Sequence, residues 1–161
     1  MKNLVLLPDE LLYQRSEPVE NIDAEVRELA AEMLETMREA RGIGLAGVQV
    51  GELRRLFVCQ DEDEKPWVFI NPSILETSLQ EVKYEEGCLS IPGIYSDVKR
   101  PAVIKVQAWN ERGRPFQVEA DGMFARVILH EYDHLNGVLF LNHLSERKRE
   151  KLLKQYSAQR G

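Results

Sequence analysis

From Ile22 onward, apolar side chains recur at steps of three and four residues, at Val26, Leu29, Ala30, Met33, Leu34 and Met37, with acids and arginines between them. That spacing lays one apolar stripe along a helix, so it predicts an amphipathic helix from Ile22 to about Ala40. Asn21 or Asp23 would cap its start and Gly42 would end it. The next ten residues, GIGLAGVQVG, hold four glycines and read as a loop whose backbone can turn sharply or approach a ligand closely. The middle of the chain changes period. Short β-rich runs at Arg55–Gln60, Trp67–Ile70, Glu81–Glu85 and Val103–Trp109, punctuated by Pro66, Pro72, Pro92 and Pro101, predict strands. Asn110 to Gly113 predicts a hairpin connection that returns through Phe116 and Val118. Asp121 would then cap a second helix, from about Gly122 to Asn136, whose apolar positions Met123, Val127, Ile128 and Leu135 are too dense for a surface helix. It belongs near the centre of the fold. A third helix, from Ser145 to about Ala158, carries Leu152, Leu153 and Tyr156 on one side. Strands first, then a central and a terminal helix, give an α+β class: antiparallel sheets packed around the central helix, with an amphipathic helix at the N-terminal end and another at the C-terminal end.

Composition narrows the function. A length of 161 residues predicts a single domain, 1–161, with core enough to need no staple. A net charge of −6 argues against a protein that coats DNA or an anionic membrane. The apolar run of MKNLVLLPDELL is broken by Pro8 and Asp9, which predicts no signal peptide, and no apolar stretch approaches a membrane span. Two cysteines build no disulfide framework, and a cytoplasmic location is expected. The charge is also uneven. Residues 145–161 hold six basic and two acidic side chains, +4 in all, which leaves −10 for residues 1–144.

The sharpest chemistry is His130-Glu131-Tyr132-Asp133-His134 on the central helix. Histidines four apart lie one above the other, so both imidazoles can reach one divalent ion while Glu131 reaches a water beside it. Two imidazoles need a third ligand. The zinc-protease route of a later histidine on the same helix is closed, since Phe140 stands at that position. His143, Glu146 and Glu150 are near in sequence. Cys88, in Glu86-Gly87-Cys88-Leu89-Ser90, is the better choice, because a thiolate is a strong ligand for borderline metals. Cys59, within LFVCQ, reads as a core thiol.

GIGLAGVQ at 42–49, EGCLS at 86–90 and HEYDH at 130–134, in that order and spacing, resemble the three signature motifs of the peptide deformylases; Pro8-Asp9 and Gly113-Arg-Pro-Phe116 also match. The resemblance implies hydrolysis of N-formyl-methionyl peptides or nascent chains to formate and a free amino terminus. It implies Cys88, His130 and His134 as ligands of one divalent metal, Fe(II) with Zn or Ni as substitutes. Glu131 matches the general acid/base, and Gln49 with the backbone N–H of Leu89 matches the donors to the formyl oxygen. Ile43, Gly44 and Gly87 match the backbone groups that take up the peptide as an added strand. Some family members dock on the ribosome through a basic terminal helix, which the C-terminal charge here permits.

Two positions depart from the family pattern. Gly47 replaces an alanine two residues before Gln49, which would loosen the backbone that carries this donor. Arg126 replaces an apolar residue that lines the methionine pocket, one turn before His130. Its guanidinium must be satisfied: by a nearby acid such as Glu85 or Glu86, by snorkelling to the pocket mouth with its stem still apolar, or by making the pocket polar, which would favour a polar or acidic first residue in the substrate. Two further readings compete with a deformylase: a metallopeptidase that uses the same helix, and a non-catalytic relative that binds formylated N-termini.

Overall fold

A computed structural model describes residues 2–160. The first helix, α1 (Ala24–Glu39), opens where the pattern placed it: the Asp23 carboxylate accepts from the Val26 N–H at 3.1 Å. Its end differs. Arg41, not Gly42, takes the left-handed conformation (φ 60°), and the N–H groups of Arg41 and Gly42 close on the carbonyls of Arg38 and Met37. This is a Schellman closure with arginine in the position glycine usually fills.

Four strands follow: β1 (Gly44–Ala46), β2 (Leu56–Gln60), β3 (Pro66–Thr77) and β4 (Glu81–Cys88). Three more, β5 (Ile91–Pro101), β6 (Val103–Trp109) and β7 (Pro115–Asp121), lead into the central helix α2 (Gly122–Leu135) and the terminal helix α3 (Glu146–Arg160). The glycine-rich stretch read as a loop is instead the short strand β1 followed by a 3-10 turn, Gly47–Val50. Two of the four prolines mark strand ends, Pro66 opening β3 and Pro101 closing β5, and two do not. Pro72 lies inside β3 and Pro92 inside β5, each at a register shift: between Ile70 and Ser73, and between Gly87 and Cys88 on the paired strand. A bulge leaves a residue without a ladder partner, so a missing N–H costs nothing there. Asp121 stands at the start of α2, but its side chain accepts no capping hydrogen bond.

All pairings between these strands are antiparallel. One sheet has the order β1-β2-β3-β6-β7, and β4 and β5 form a separate two-stranded sheet. Strand β2 shows how the larger sheet is used: Phe57 and Cys59 face α2, while Leu56 and Val58 face Val26, Met33 and Met37 of α1. The period of two thus serves two cores, and Cys59 is a fully buried core thiol, as its apolar strand predicted. A third core joins the β4–β5 hairpin to the C-terminal segment through Ile91, Ile94, Phe140 and Tyr156, whose hydroxyl donates to the Leu7 carbonyl at 2.8 Å. The apolar residues of α2, Ala125, Val127, Ile128, Leu129 and Leu135, pack in the core shared with the larger sheet, and the helix meets the hairpin through Arg126 and His130. Among the described residues no helix is long and apolar enough to cross a membrane.

Helix α2 ends in another Schellman closure, with Gly137 at φ 72° and the Gly137 and Val138 N–H groups on the carbonyls of His134 and Asp133. A Cβ on Gly137 would lie 2.4 Å from the Tyr13 carbonyl oxygen, whereas one on Gly113, at φ 76°, would meet nothing within 4 Å. Gly113→Ala should therefore cost about 1 kcal/mol, the left-handed strain alone. Gly137→Ala should cost about 3 kcal/mol or more, because strain and a backbone clash combine. Chemical denaturation of the two variants checks the difference.

Candidate metal centre and cleft

Three elements that are distant in sequence converge on one point. Helix α2 presents His130 and His134 one turn apart, with ring centroids 5.1 Å from each other. The end of β4 brings Cys88, whose Sγ lies 3.4 Å from His134 Nε2. One ligand atom from each of the three falls within 4.8 Å of the others, and this is the one such group of three among the described residues. A thiolate with two imidazoles is a donor set that suits a divalent transition metal and leaves a coordination position for a reactant. His143 does not join it: its Nε2 lies 2.7 Å from Asp133 Oδ2 at the protein surface. Glu146 and Glu150 stand on α3, outside the group.

Gln49 arrives from the 3-10 turn after β1. The Ala46 N–H donates to its Oε1 at 2.9 Å, which fixes the amide so that Nε2 points to Ser90 Oγ (3.1 Å) and Cys88 Sγ (3.4 Å). The departure at Gly47 does not loosen this donor. A Cβ there would meet the Glu52 and Arg54 carbonyl oxygens at 2.9 and 3.0 Å, so the glycine sits in close packing, and Gln49 is 1% exposed.

Glu131 is buried beside the same cleft, and its Oε1 makes no hydrogen bond to the protein. Burial lifts its carboxyl to about 7, with the His130 charge opposing and Glu86 adding to the rise. Gly44 is what makes room for it, since a Cβ on Gly44 would lie 2.6 Å from Glu131 Oε2.

The cleft, of about 490 Å³, runs between residues 40–44 on one side and 85–89 with Tyr95 on the other. Ile43, Gly44, Gly87, Leu89 and Arg126 all line it. Tyr95 lies opposite Gly87 in the hairpin register, its ring over the glycine, a placement that only the β4–β5 pairing reveals.

Arg126 is 3% exposed, so it does not snorkel to the pocket mouth; its guanidinium pairs with Glu86, the first of the ways expected. Glu86 also accepts from one edge of the Arg100 guanidinium, Nε at 2.6 Å and Nη2 at 3.0 Å, and stands 2.9 Å from His130 Nδ1. Burial alone would push the Glu86 carboxyl up; the His130 and Arg100 hydrogen bonds outweigh it and hold the group well below the ordinary carboxylate range. Glu86 was one of two acids expected beside Arg126, but its contacts with Arg100 and His130 were not foreseen. Glu86 at least lies within EGCLS, whereas Arg100 follows Lys99 in a polar run that gives no sign of burial.

The model of the family described as polypeptide deformylase matches residues 1–150. The chain belongs to the polypeptide deformylase family. It is 49% identical over 161 residues to a peptide deformylase of Agrobacterium fabrum, covering 98% of this chain and 95% of that one. It is 46% identical over 160 residues to one of Brucella suis, covering 97% and 91%. Among solved structures, a deformylase of Ehrlichia chaffeensis in complex with actinonin is similar at a TM-score of 0.95 and 38% identity, covering 99% and 97%. The Thermus thermophilus deformylase is similar at 0.91 and 41%, covering 98% and 94%. The deformylases are metal-dependent enzymes, and the Cys88, His130 and His134 donor set fits such an ion. Metal analysis of the purified chain should find about one divalent ion per molecule, and His134→Ala or Cys88→Ser should cut this at least tenfold, since each removes one of only three protein ligands.

Proposed function

We propose that this chain, acting as one catalytic unit over residues 1–161, removes the formyl group from formyl-methionyl peptides by hydrolysis. The observation that carries the reading is the convergence of a Cys-His-His donor set, an unpartnered buried carboxylate oxygen and an aimed amide donor on one cleft. A divalent ion held by Cys88, His130 and His134, Fe(II) with Zn or Ni as substitutes, would polarise both the attacking water and the formyl carbonyl.

The chain's own groups do the rest. Glu131 takes a proton from the attacking water as its oxygen bonds to the formyl carbon. When the C–N bond breaks, Glu131 passes that proton to the leaving nitrogen, so formate and a free amine result. A carboxyl lifted by burial is poised for both transfers at neutral pH. Gln49 Nε2 and the Leu89 N–H donate to the formyl oxygen as charge builds on it. The peptide enters as an extended strand, hydrogen-bonded to the backbones of Ile43, Gly44 and Gly87. Two observations support this: β1 is an edge strand of its sheet and β4 of the hairpin, and both line the cleft.

Methionine is the preferred first residue. Ile43, Met123, Val127 and Leu89 supply apolar wall. Arg126 Nη1 and Nη2 are spent on Glu86 and on the Val82 and Val98 carbonyls, and only the buried Nε is left without a partner, which speaks against a pocket tuned for acidic side chains. The cytoplasm, where chains are made, is the matching location. The six basic residues at 145–161 suit contact with a polyanion such as ribosomal RNA.

Formate release from formyl-Met-Ala-Ser tests the reading. Turnover should fall by about 10²–10³ in Gln49→Leu, the usual effect of losing one oxyanion donor. Glu131→Gln should lose at least as much while still binding metal. Cleavage within unformylated peptides without formate release would instead establish the metallopeptidase.

A further inference from the structure

Glu86 is surrounded on every polar side. Its Oε2 accepts from Arg100 Nε at 2.6 Å and from Arg126 Nη1 at 2.5 Å. Its Oε1 accepts from Arg100 Nη2 at 3.0 Å and faces His130 Nδ1 at 2.9 Å. A carboxylate offers about four lone-pair sites, and here all four are taken. Arg126 is itself anchored. Nη1 also donates to the Val98 carbonyl at 2.8 Å, Nη2 donates to the Val82 carbonyl at 2.7 Å, and the guanidinium lies over the Tyr84 ring at 5.1 Å. These partners belong to β4 and β5, so the arginine ties α2 to both strands of the hairpin.

Arg100 alone would leave one lone pair of Oε2 empty in a buried place. The carboxylate could then turn to face the Arg100 fork more squarely, and Oε1 would leave His130. The orientation and tautomer of a metal-ligating imidazole are set by the partner of its other nitrogen. With Nδ1–H donating to Oε1, the Nε2 lone pair of His130 is the one presented toward Cys88 and His134.

We propose that Arg126 is a positioning residue for the metal centre, acting through Glu86 on His130. This rests on the reading of Cys88, His130 and His134 as metal ligands. The arginine stands one turn before His130 on α2. Its loss should register at the metal before it registers in substrate choice.

The probe is Co(II), titrated into metal-free protein against a competing chelator, with the visible absorption bands of the bound ion reporting ligand geometry. Arg126→Met should weaken binding about tenfold and shift the bands, the lower end of what the loss of a partner behind a ligand costs. Arg126→Gln keeps a donor for the backbone carbonyls but lacks the charge. It should show the same loss, and it carries the test if Arg126→Met fails to fold. Arg126→Lys, which restores a cation beside Glu86, should stay within about threefold of the parent with its bands unshifted. Parent-like affinity and bands in both neutral variants would overturn the proposal, the more directly if the ranking of formyl-Met over formyl-Glu peptides changed. Equal losses in Arg126→Lys and Arg126→Met would also overturn it, leaving Arg126 a tie between strands. Failure of the parent chain itself to bind Co(II) would instead sink the metal reading on which the proposal stands.

Discussion

A buried carboxylate between two arginines and a histidine is costly unless every lone pair is met, because removing the charge from water costs several kcal/mol before any pairing is counted. Glu86 meets that condition, with Arg100 and Arg126 on one side and His130 on the other. The groups come from separate units: Glu86 and Arg100 from the β4–β5 hairpin, Arg126 and His130 from α2. A misdocked hairpin would strand an ion in the interior, so the pairing fixes how the hairpin sits on the helix. Cys88 lies two residues beyond Glu86 on the same strand, and its Sγ is thereby set against His134.

The remaining parts of the site inherit their precision from packing. Helix α2 is buried from Ala125 through Glu131 and again at His134 and Leu135. Its imidazoles therefore move only if the core does, and cores are close-packed. On the far side of the cleft, the Ala46 N–H orients Gln49, and Ala46 belongs to β1, paired in register with Phe57. The glycines of the first motif serve this closeness more than flexibility: Gly44 lets Glu131 approach the strand, and Gly47 lies against two carbonyls. The result is a cleft lined from β1 and β4, each an edge strand of its own sheet.

Much of this was legible beforehand. The three helices were placed to within about two residues, since each carries an amphipathic or densely apolar period over many turns. The His-Glu-x-x-His spacing determined that both imidazoles share a helix face whatever the tertiary fold. Strands were harder to read. β5 went unseen and β3 was cut short, because Pro92 and Pro72 look like boundaries until a bulge is known to absorb them. Arg41 gave no sign that it would take the left-handed place expected of Gly42, because an arginine reads as an ordinary helix residue and only the backbone shows its φ of 60°.

Local pattern and spacing thus determined, from the sequence by itself, the α+β class, the helices, the charge asymmetry and the shared helix face of His130 and His134. Those are properties of near neighbours in the chain, and periodicity records them directly. Which acid would satisfy Arg126, that Arg100 would be buried beside it, and that Gly47 would hold rather than loosen Gln49 were decided only by the tertiary structure. The first two depend on contacts across 40 and 14 residues, between Arg126 or Arg100 and Glu86, and the third on how the chain after Gly47 folds back to set the Glu52 and Arg54 carbonyls against it. A charged side chain looks the same in sequence whether it meets water or a buried partner, and only the packing of hairpin against helix tells the two apart.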